Sequence, residues 1–334
     1  MKKIICLLCV ICFITLFPSY KASASDMAYS VKANLPENQR NKEHTYFDLL
    51  MEPKQKQTIS ITFENHSEKP IELEVNYHTA QTNDNGVIDY KGARERKDSS
   101  LAYDLKEFIT GEQIVKLNSK EKKEVPYTIT MPEKKFEGIL LGGFHIHKKN
   151  NENSNAQKFQ IKNDYSYVVG LQLTEAEKEV MPELKLNKIE PGLNNYRTTL
   201  LANLQNTTAT MITDMTVTAE VYKEKSKEVL HKTVKNKQSM APNSNYNFPI
   251  SWDNQSFQPG KYSLKLNAVD KAGHKWSFNK DFEIKDNAKK YNDEAVDVKE
   301  QVNKNDYIIN ILIFIIVLAS GIVIYLLFSL KRKV

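Results

Sequence analysis

Cysteine is almost absent from this 334-residue chain. Its three cysteines, Cys6, Cys9 and Cys12, all fall in an apolar run at the start of the sequence. The rest of the chain therefore has no disulfide scaffold, cysteine-ligated zinc site, iron–sulfur cluster or thiol nucleophile. If the protein is exported, its domains must fold on their hydrophobic cores alone.

The body of the chain also has no excess of one charge sign. The formal net charge is +6, but three basic residues precede the first acidic residue, Asp26, and three follow the last, Asp306. Between these two positions, 41 acidic residues face an equal number of basic ones. A neutral body has no basic surplus to displace counterions from phosphates, so no nucleic-acid partner is predicted.

Catalytic and metal-binding motifs are missing as well. The sequence has no G-x-S-x-G, no glycine-rich phosphate loop and no H-E-x-x-H. His145 and His147 share one face of a predicted strand, but zinc needs three or four ligands and no third is identifiable. We predict no catalytic residue, no metal site and no cofactor, and we interpret the protein as non-enzymatic. A glycan hydrolase with unrecognised carboxylates is the alternative.

Long apolar runs are confined to the two ends of the chain. Residues 1–24 combine Lys2 and Lys3, an apolar stretch and the small residues Ala22-Ser23-Ala24, a pattern typical of a secretory signal peptide. Residues 307–330 predict a transmembrane helix, because Ile308–Leu330 carries no charge and is long enough to cross a bilayer at ~1.5 Å per residue. The basic tail, residues 331–334, then predicts a single-pass cell-membrane protein with an extracellular body and a cytoplasmic C-terminus.

Apolar and polar residues alternate through most of the body, as in Ile59, Ile61 and Phe63. Such alternation, with turn signals every ~10 residues, predicts antiparallel strands with one buried face. We therefore predict an all-β fold with two tandem immunoglobulin-like β-sandwich domains, residues 25–148 and 159–284. A polar linker, residues 149–158, separates them, and a charged stalk, residues 285–306, follows. One short helix is predicted within Ser99–Ile109.

Two segments of the first domain are candidate contact sites for a ligand or partner. Asn83-Asp84-Asn85-Gly86 predicts a hairpin turn, and the EF-hand spacing that a calcium loop requires is missing. The glycine-rich run from Gly138 to Phe144 predicts either a bulged edge strand or a backbone surface that a partner strand or a glycan can reach. The candidate contacts are Asn83, Asn85, Gly86, Tyr90, Gly138, Gly142, Gly143 and Phe144.

Several motifs resemble the WxL-interacting proteins of Gram-positive Firmicutes. The match extends over the mature chain and is strongest in the first domain. The residues that carry it are Tyr29-Ser30-Val31, Leu35-Pro36-Glu37-Asn38-Gln39, Tyr46-Phe47-Asp48-Leu49, Asn65 and Ser67, the Ala80 to Gly86 element, Met131-Pro132, the run from Phe136 to Gly143, and Tyr167-Val168-Val169-Gly170-Leu171.

The resemblance implies a peptidoglycan-binding first domain, a host-binding second domain and a membrane anchor. It also implies a non-enzymatic cell-surface role with three kinds of partner: peptidoglycan, secreted WxL-domain proteins and host extracellular matrix proteins. A plain adhesin that binds host matrix without contacting the wall is a further alternative.

Overall fold

The computed structural model describes residues 28–92, 97–149, 165–296, 298 and 311–321. These residues form eighteen strands and a few short helices, so the architecture is all-β. The signal peptide predicted at residues 1–24 lies outside the described residues, and so does most of the predicted linker.

Sixteen of the strands lie in two successive sandwiches, and β5 and β6 form a separate two-stranded hairpin. In chain order the strands are β1 (Tyr29–Asn34), β2 (Phe47–Leu50), β3 (Lys56–Asn65), β4 (Ile71–Thr79), β5 (Gln81–Thr82), β6 (Ile88–Asp89), β7 (Ile109–Gly111), β8 (Ile114–Leu117), β9 (Lys122–Thr130), β10 (Ile139–Lys148), β11 (Ser166–Thr174), β12 (Leu184–Asn194), β13 (Arg197–Asn206), β14 (Ile212–Lys223), β15 (Val229–Met240), β16 (Ser244–Ser251), β17 (Gly260–Val269) and β18 (Lys275–Ile284).

The first sandwich packs a four-stranded sheet, β1-β3-β9-β7, against a five-stranded sheet, β2-β11-β10-β4-β8. The alternating apolar residues of β3, Ile59, Ile61 and Phe63, are buried between the sheets, as predicted from their spacing. Each such side chain contributes roughly 1.5–3 kcal/mol when it is removed from water. Within Ser99–Ile109 the chain forms only a 3-10 turn, Leu105–Glu107.

Strand β11 lies beyond the predicted linker but belongs to the five-stranded sheet of the first sandwich. It pairs antiparallel with β10 from Ile139↔Thr174 to His147↔Ser166, and parallel with β2 from Leu171↔Phe47 onwards. Leu171 and Leu173 are fully buried in the first core. The chain thus returns to the first sandwich before it builds the second.

The second sandwich packs a three-stranded sheet, β12-β13-β16, against a four-stranded sheet, β15-β14-β17-β18. Trp252 lies in its core, with its ring centroid 5.0 Å from Phe257 and 5.7 Å from Tyr262. The predicted stalk begins with a 3-10 turn and a short helix, α1 (Lys289–Glu294), that pack on this core. Ala288 is buried there, and Asn292 Oδ1 accepts a hydrogen bond from the Phe257 amide at 2.8 Å.

The main correction to the sequence analysis concerns the predicted transmembrane helix. A second helix, α2, covers residues 311–321 within the predicted span 307–330. Among the described residues, no helix has both the length and the apolar character needed to cross a membrane. The structure therefore contradicts the predicted span, and with it the single-pass membrane localisation; the basic tail lies outside the described residues.

Candidate functional site

The polar hairpin between β5 and β6 forms a turn as predicted. Asn83 Oδ1 accepts hydrogen bonds from the amides of Asn85 and Val87, at 3.0 and 3.2 Å. The Gly86 amide donates to the Asn83 carbonyl at 2.9 Å, and Gly86 adopts φ +70°, a left-handed conformation that favours glycine. Asn83 therefore shapes the turn, whereas the Asn85 side chain is exposed.

This hairpin is docked on the second sandwich. The Ser239 amide donates to the Gly86 carbonyl at 2.7 Å, and a Cβ on Gly86 would lie 2.0 Å from Gln238 Oε1. Thr82, fully buried, accepts from the Ala241 amide at 3.0 Å and lies 2.6 Å from Ser244 Oγ. The predicted exposed hairpin is therefore largely an interdomain contact.

The first glycine of the 138–144 run makes a second interdomain contact. Gly138 adopts φ +83°, and a Cβ there would lie 2.2 Å from the Ala209 carbonyl oxygen. That same oxygen accepts a hydrogen bond from the Ile139 amide at 2.7 Å. Leu141 joins Ala80 and Ala241 in a small apolar cluster across the boundary.

Gly142 and Phe144 point into the first core. Strand β10 is central in its sheet and pairs with β11 on one side and β4 on the other. The alternative of a bulged edge strand is therefore wrong, and a partner strand cannot pair with β10. A Cβ on Gly142 would lie 2.3 Å from the His78 carbonyl oxygen, so the glycine permits close packing.

Gly143 lies on the opposite, outer face of the same sheet. Its cross-strand partner is Gly170 on β11, so two residues without side chains lie next to each other. Tyr90, which follows the hairpin, packs over Gly143, and a Cβ there would lie 3.2 Å from the Tyr90 ring. A Cβ on Gly170 would lie 3.4 Å from Tyr46 Cβ.

A groove of about 500 Å³ runs along this surface. We call it the tyrosine groove because Tyr46, Tyr90 and Tyr167 line it, together with Leu141, Val168 and Met211. Burial raises the pKa of the Tyr46 phenol, and nearby Asp48 raises it further. Burial, with a smaller contribution from Tyr46, likewise raises the pKa of Tyr90. Both phenols are therefore neutral hydrogen-bonding groups at physiological pH.

The groove exists because β2 is short. Gln39 is buried and its Nε2 donates to the Tyr46 carbonyl at 2.8 Å, while its Oε1 accepts from the Asp48 amide at 3.1 Å. These bonds turn the chain away from β11 just before Phe47, the first residue of β2 that pairs. The outer edge of β11 before Leu171 therefore lines the groove, and no described strand covers it.

His145 and His147, the nearest approach to a metal motif, lie on the outer face of β10. Their ring centroids are 5.3 Å apart, and His147 Nε2 lies 3.5 Å from Glu74 Oε2. In the part of the chain that the structure describes, no group of three or more His, Cys, Asp or Glu side chains is placed to hold a metal ion.

Family comparisons match nearly the whole body of the chain. Residues 29–148 match the model described as "WxL Interacting Protein, peptidoglycan binding domain", and residues 156–293 match "WxL Interacting Protein, host binding domain". Both descriptions are of binding domains. No curated protein matches the chain.

Solved structures resemble the chain only at low identity. A PapD-like domain of human CEP192 is 13% identical with a TM-score of 0.28, and the match covers 48% of this chain and 100% of that one. The Pseudomonas aeruginosa CupB2 chaperone is 10% identical with a TM-score of 0.25, covering 69% and 95%. The CsuC–CsuE chaperone–tip adhesion complex of Acinetobacter baumannii is 12% identical with a TM-score of 0.32, covering 69% and 93%.

Proposed function

This chain belongs to the WxL Interacting Protein family, and on that premise we propose that it is a non-enzymatic cell-surface protein that binds peptidoglycan in the tyrosine groove. The observation that carries the proposal is the convergence of Tyr46, Tyr90 and Tyr167 on one groove of the first sandwich. Tyrosine offers a broad apolar ring and a polar hydroxyl, which suits a ligand with both apolar faces and hydroxyl groups.

Both family segments contribute to this groove. Tyr46, Tyr90 and Leu141 come from the segment that matches the peptidoglycan-binding model, whereas Tyr167, Val168 and Met211 come from the segment that matches the host-binding model. Of the contacts predicted from the sequence, Tyr90 lines the groove, and Gly143 is buried beneath its ring. Gly170, which lines the groove without a side chain, would let a sugar ring approach the sheet closely.

The second sandwich supplies the remaining part of the proposed role. Its family description supports a host partner, and we infer that extracellular matrix proteins are the class it binds. The family description also supports a secreted WxL-domain protein as a partner. In this proposal the protein joins the wall polymer to a second protein at the cell surface.

The decisive measurement is co-sedimentation of the full chain with purified peptidoglycan. We expect Tyr90→Ala and Tyr46→Ala each to weaken binding about tenfold, since one aromatic contact is worth roughly 0.5–1.5 kcal/mol beyond its buried area. Tyr90→Phe keeps the ring and should retain most of the affinity. Tyr196→Ala, at a tyrosine that is 71% exposed on the second sandwich, is the matched control.

Salt dependence separates stacking from charge attraction. Because the body of the chain is neutral, sedimentation should change little between low and high salt. Wild-type sedimentation by both Tyr46→Ala and Tyr90→Ala, each folded as judged by circular dichroism, would refute the groove as the binding site.

A further inference from the structure

Strand β18 is an exposed edge of the second sandwich. It pairs with β17 over all ten residues, from Gly260↔Ile284 to Val269↔Lys275, without a register shift. On its other side it has no partner strand among the residues that the structure describes. A long, regular edge of this kind is a template for pairing with another chain.

Two other edges of this sandwich, β15 and β12, are interrupted. The pairing of β15 with β14 shifts register at three places, and the pairing of β12 with β13 shifts once, between Leu186 and Ile189. Bulges of this kind twist an edge and block the addition of a further strand. The remaining edge, β16, pairs with β13 without a shift, but it carries Pro249, and its Asn247 and Ser251 amides donate to the side chains of Asp84 and Thr233. Among these edges, only β18 combines an uninterrupted ladder with an outer side free of proline.

The direction of the free backbone groups on β18 follows from β17. The Glu224 amide, next to β14, donates to the Lys261 carbonyl at 3.0 Å, so odd-numbered residues of β17 direct their backbone groups to β14. Even-numbered residues of β17 then face β18, where they oppose even-numbered residues such as Phe282. Alternation leaves the N–H and C=O groups of Ser277, Asn279 and Asp281 directed to the open edge.

We propose that β18 pairs antiparallel with β18 of a second copy of this chain, about a two-fold axis at Asn279. In this register Lys275 lies opposite Glu283 of the partner subunit, and Trp276 lies opposite the partner subunit's Phe282. The charged pair and the aromatic pair each occur twice, because a two-fold interface is self-complementary. Opposite charges and aromatic pairs directly across a ladder are the favourable kinds of cross-strand contact.

Neighbouring registers are less favourable. An axis at Lys280 places two ammonium groups opposite each other, and an axis at Phe278 leaves Phe282 and Glu283 opposite the partner's His274 and Gly273, which lie outside β18. A two-fold axis that passes between two residues would pair odd-numbered residues of one strand with even-numbered residues of the other. The apolar faces of the two sheets would then lie on opposite sides. The register centred on Asn279 pairs all nine residues from Lys275 to Glu283, keeps the apolar faces on one side and places opposite charges across from each other.

Lys280 points inward at this edge, a feature that can discourage pairing. Its Nζ already donates to the Asn187 carbonyl of β12, so its charge is bound within its own subunit. In the proposed register it lies beside the partner's Phe278, whose ring can accept the lysine stem and ammonium. The dimer therefore requires no rearrangement of this side chain.

The experiment is sedimentation equilibrium of the full chain over a range of concentrations. Asn279→Pro removes an N–H at the open edge and leaves the pairing with β17 intact, so it should weaken dimerisation at least tenfold. Asn279→Ala keeps the N–H and is the matched control. A wild-type chain that stays monomeric throughout, or a dimer unaffected by a folded Asn279→Pro, would overturn the proposal.

Charge reversal tests the register and remains informative if the proline variant unfolds. Lys275→Glu and Glu283→Lys should each weaken the dimer, and the double variant should restore it. In addition, Asn279→Cys should form an intermolecular disulfide on oxidation, because hydrogen-bonded residues across a ladder lie ~5.5 Å apart between Cα atoms. Asn267→Cys, on the neighbouring strand β17, should not cross-link. Failure of the double variant to restore the dimer would overturn the register.

Discussion

The hairpin at residues 83–90 and the glycine run at 138–144 both contain glycine, and the sequence marks both as candidate contact sites. In the structure they meet different neighbours. The hairpin lies against the second sandwich, where Gly86 and Thr82 hydrogen-bond to it. The glycine run lies in a central strand of its own sheet, and Gly138, Ile139 and Leu141 contact the second sandwich.

The comparison shows what a glycine in the sequence indicates about the structure around it. At Gly86, Gly138 and Gly142 a Cβ would come within 2.3 Å of another atom, so each glycine marks a crowded position. The neighbour is a side chain of the other sandwich in the first case, a carbonyl of the other sandwich in the second, and a carbonyl of the same sheet in the third. Local sequence reports the crowding but not the identity of the neighbour.

The largest effect on the free energy of unfolding is expected for a substitution within the glycine run. Gly142→Ala should lower the free energy of unfolding by about 3 kcal/mol, because the new methyl group would meet the His78 carbonyl and the Leu105 side chain in a packed core. Gly143→Ala should cost less, because the new methyl group would meet the Val169 carbonyl oxygen at 2.8 Å rather than 2.3 Å, and the Tyr90 ring at 3.2 Å borders a groove and can shift. Urea denaturation of both variants compares the two faces of β10. A larger loss for Gly143→Ala would show that the outer face is the tighter one.

A somewhat smaller loss of stability is expected for a substitution at the hairpin. Thr82→Val keeps the shape of the side chain but leaves the Ala241 amide without its acceptor in a buried interface. An unsatisfied buried donor costs about 1–3 kcal/mol, so the midpoint of urea unfolding should fall. Thr58→Val, at an exposed threonine of β3, should change it little. Equal behaviour of the two variants would contradict tight docking of the hairpin.

The smallest effect on stability is expected from a change in pH. It involves both segments, because His145 follows the glycine run and Asp89 and Lys91 lie at the end of the hairpin. Burial lowers the pKa of His145 on β10, and the positive charges of His147, Lys91 and His78 lower it further, against Asp89. The folded protein therefore favours neutral His145, whereas the unfolded chain takes up a proton near pH 6.5. This contribution to stability is complete above about pH 6.5 and is lost as the pH falls towards the lowered pKa. His145→Gln should flatten the fall in stability between pH 7 and 5.5, and an unchanged slope would exclude His145 as its source.

Several strands were predictable from the sequence because apolar and polar residues alternate within them, as Ile71, Leu73 and Val75 do in β4. The turn at Asn83–Gly86 was predictable for the same reason. The tyrosine groove was not, because Tyr46, Tyr90 and Tyr167 meet only through the sheet order β2-β11-β10 and the early end of β2. The length of the apolar run at residues 307–330 led to a prediction of a spanning helix that the described residues do not support.

The position of β11 bears on how the chain can be divided. A cut in the predicted linker would detach β11, and with it Leu171 and Leu173, from the first sandwich. The boundary between the two family segments, after residue 148, falls between the paired strands β10 and β11. The family segments and the two sandwiches therefore differ by one strand, β11. The first segment produced alone would lack a strand of its five-stranded sheet, and the second produced alone would carry a strand without its partners.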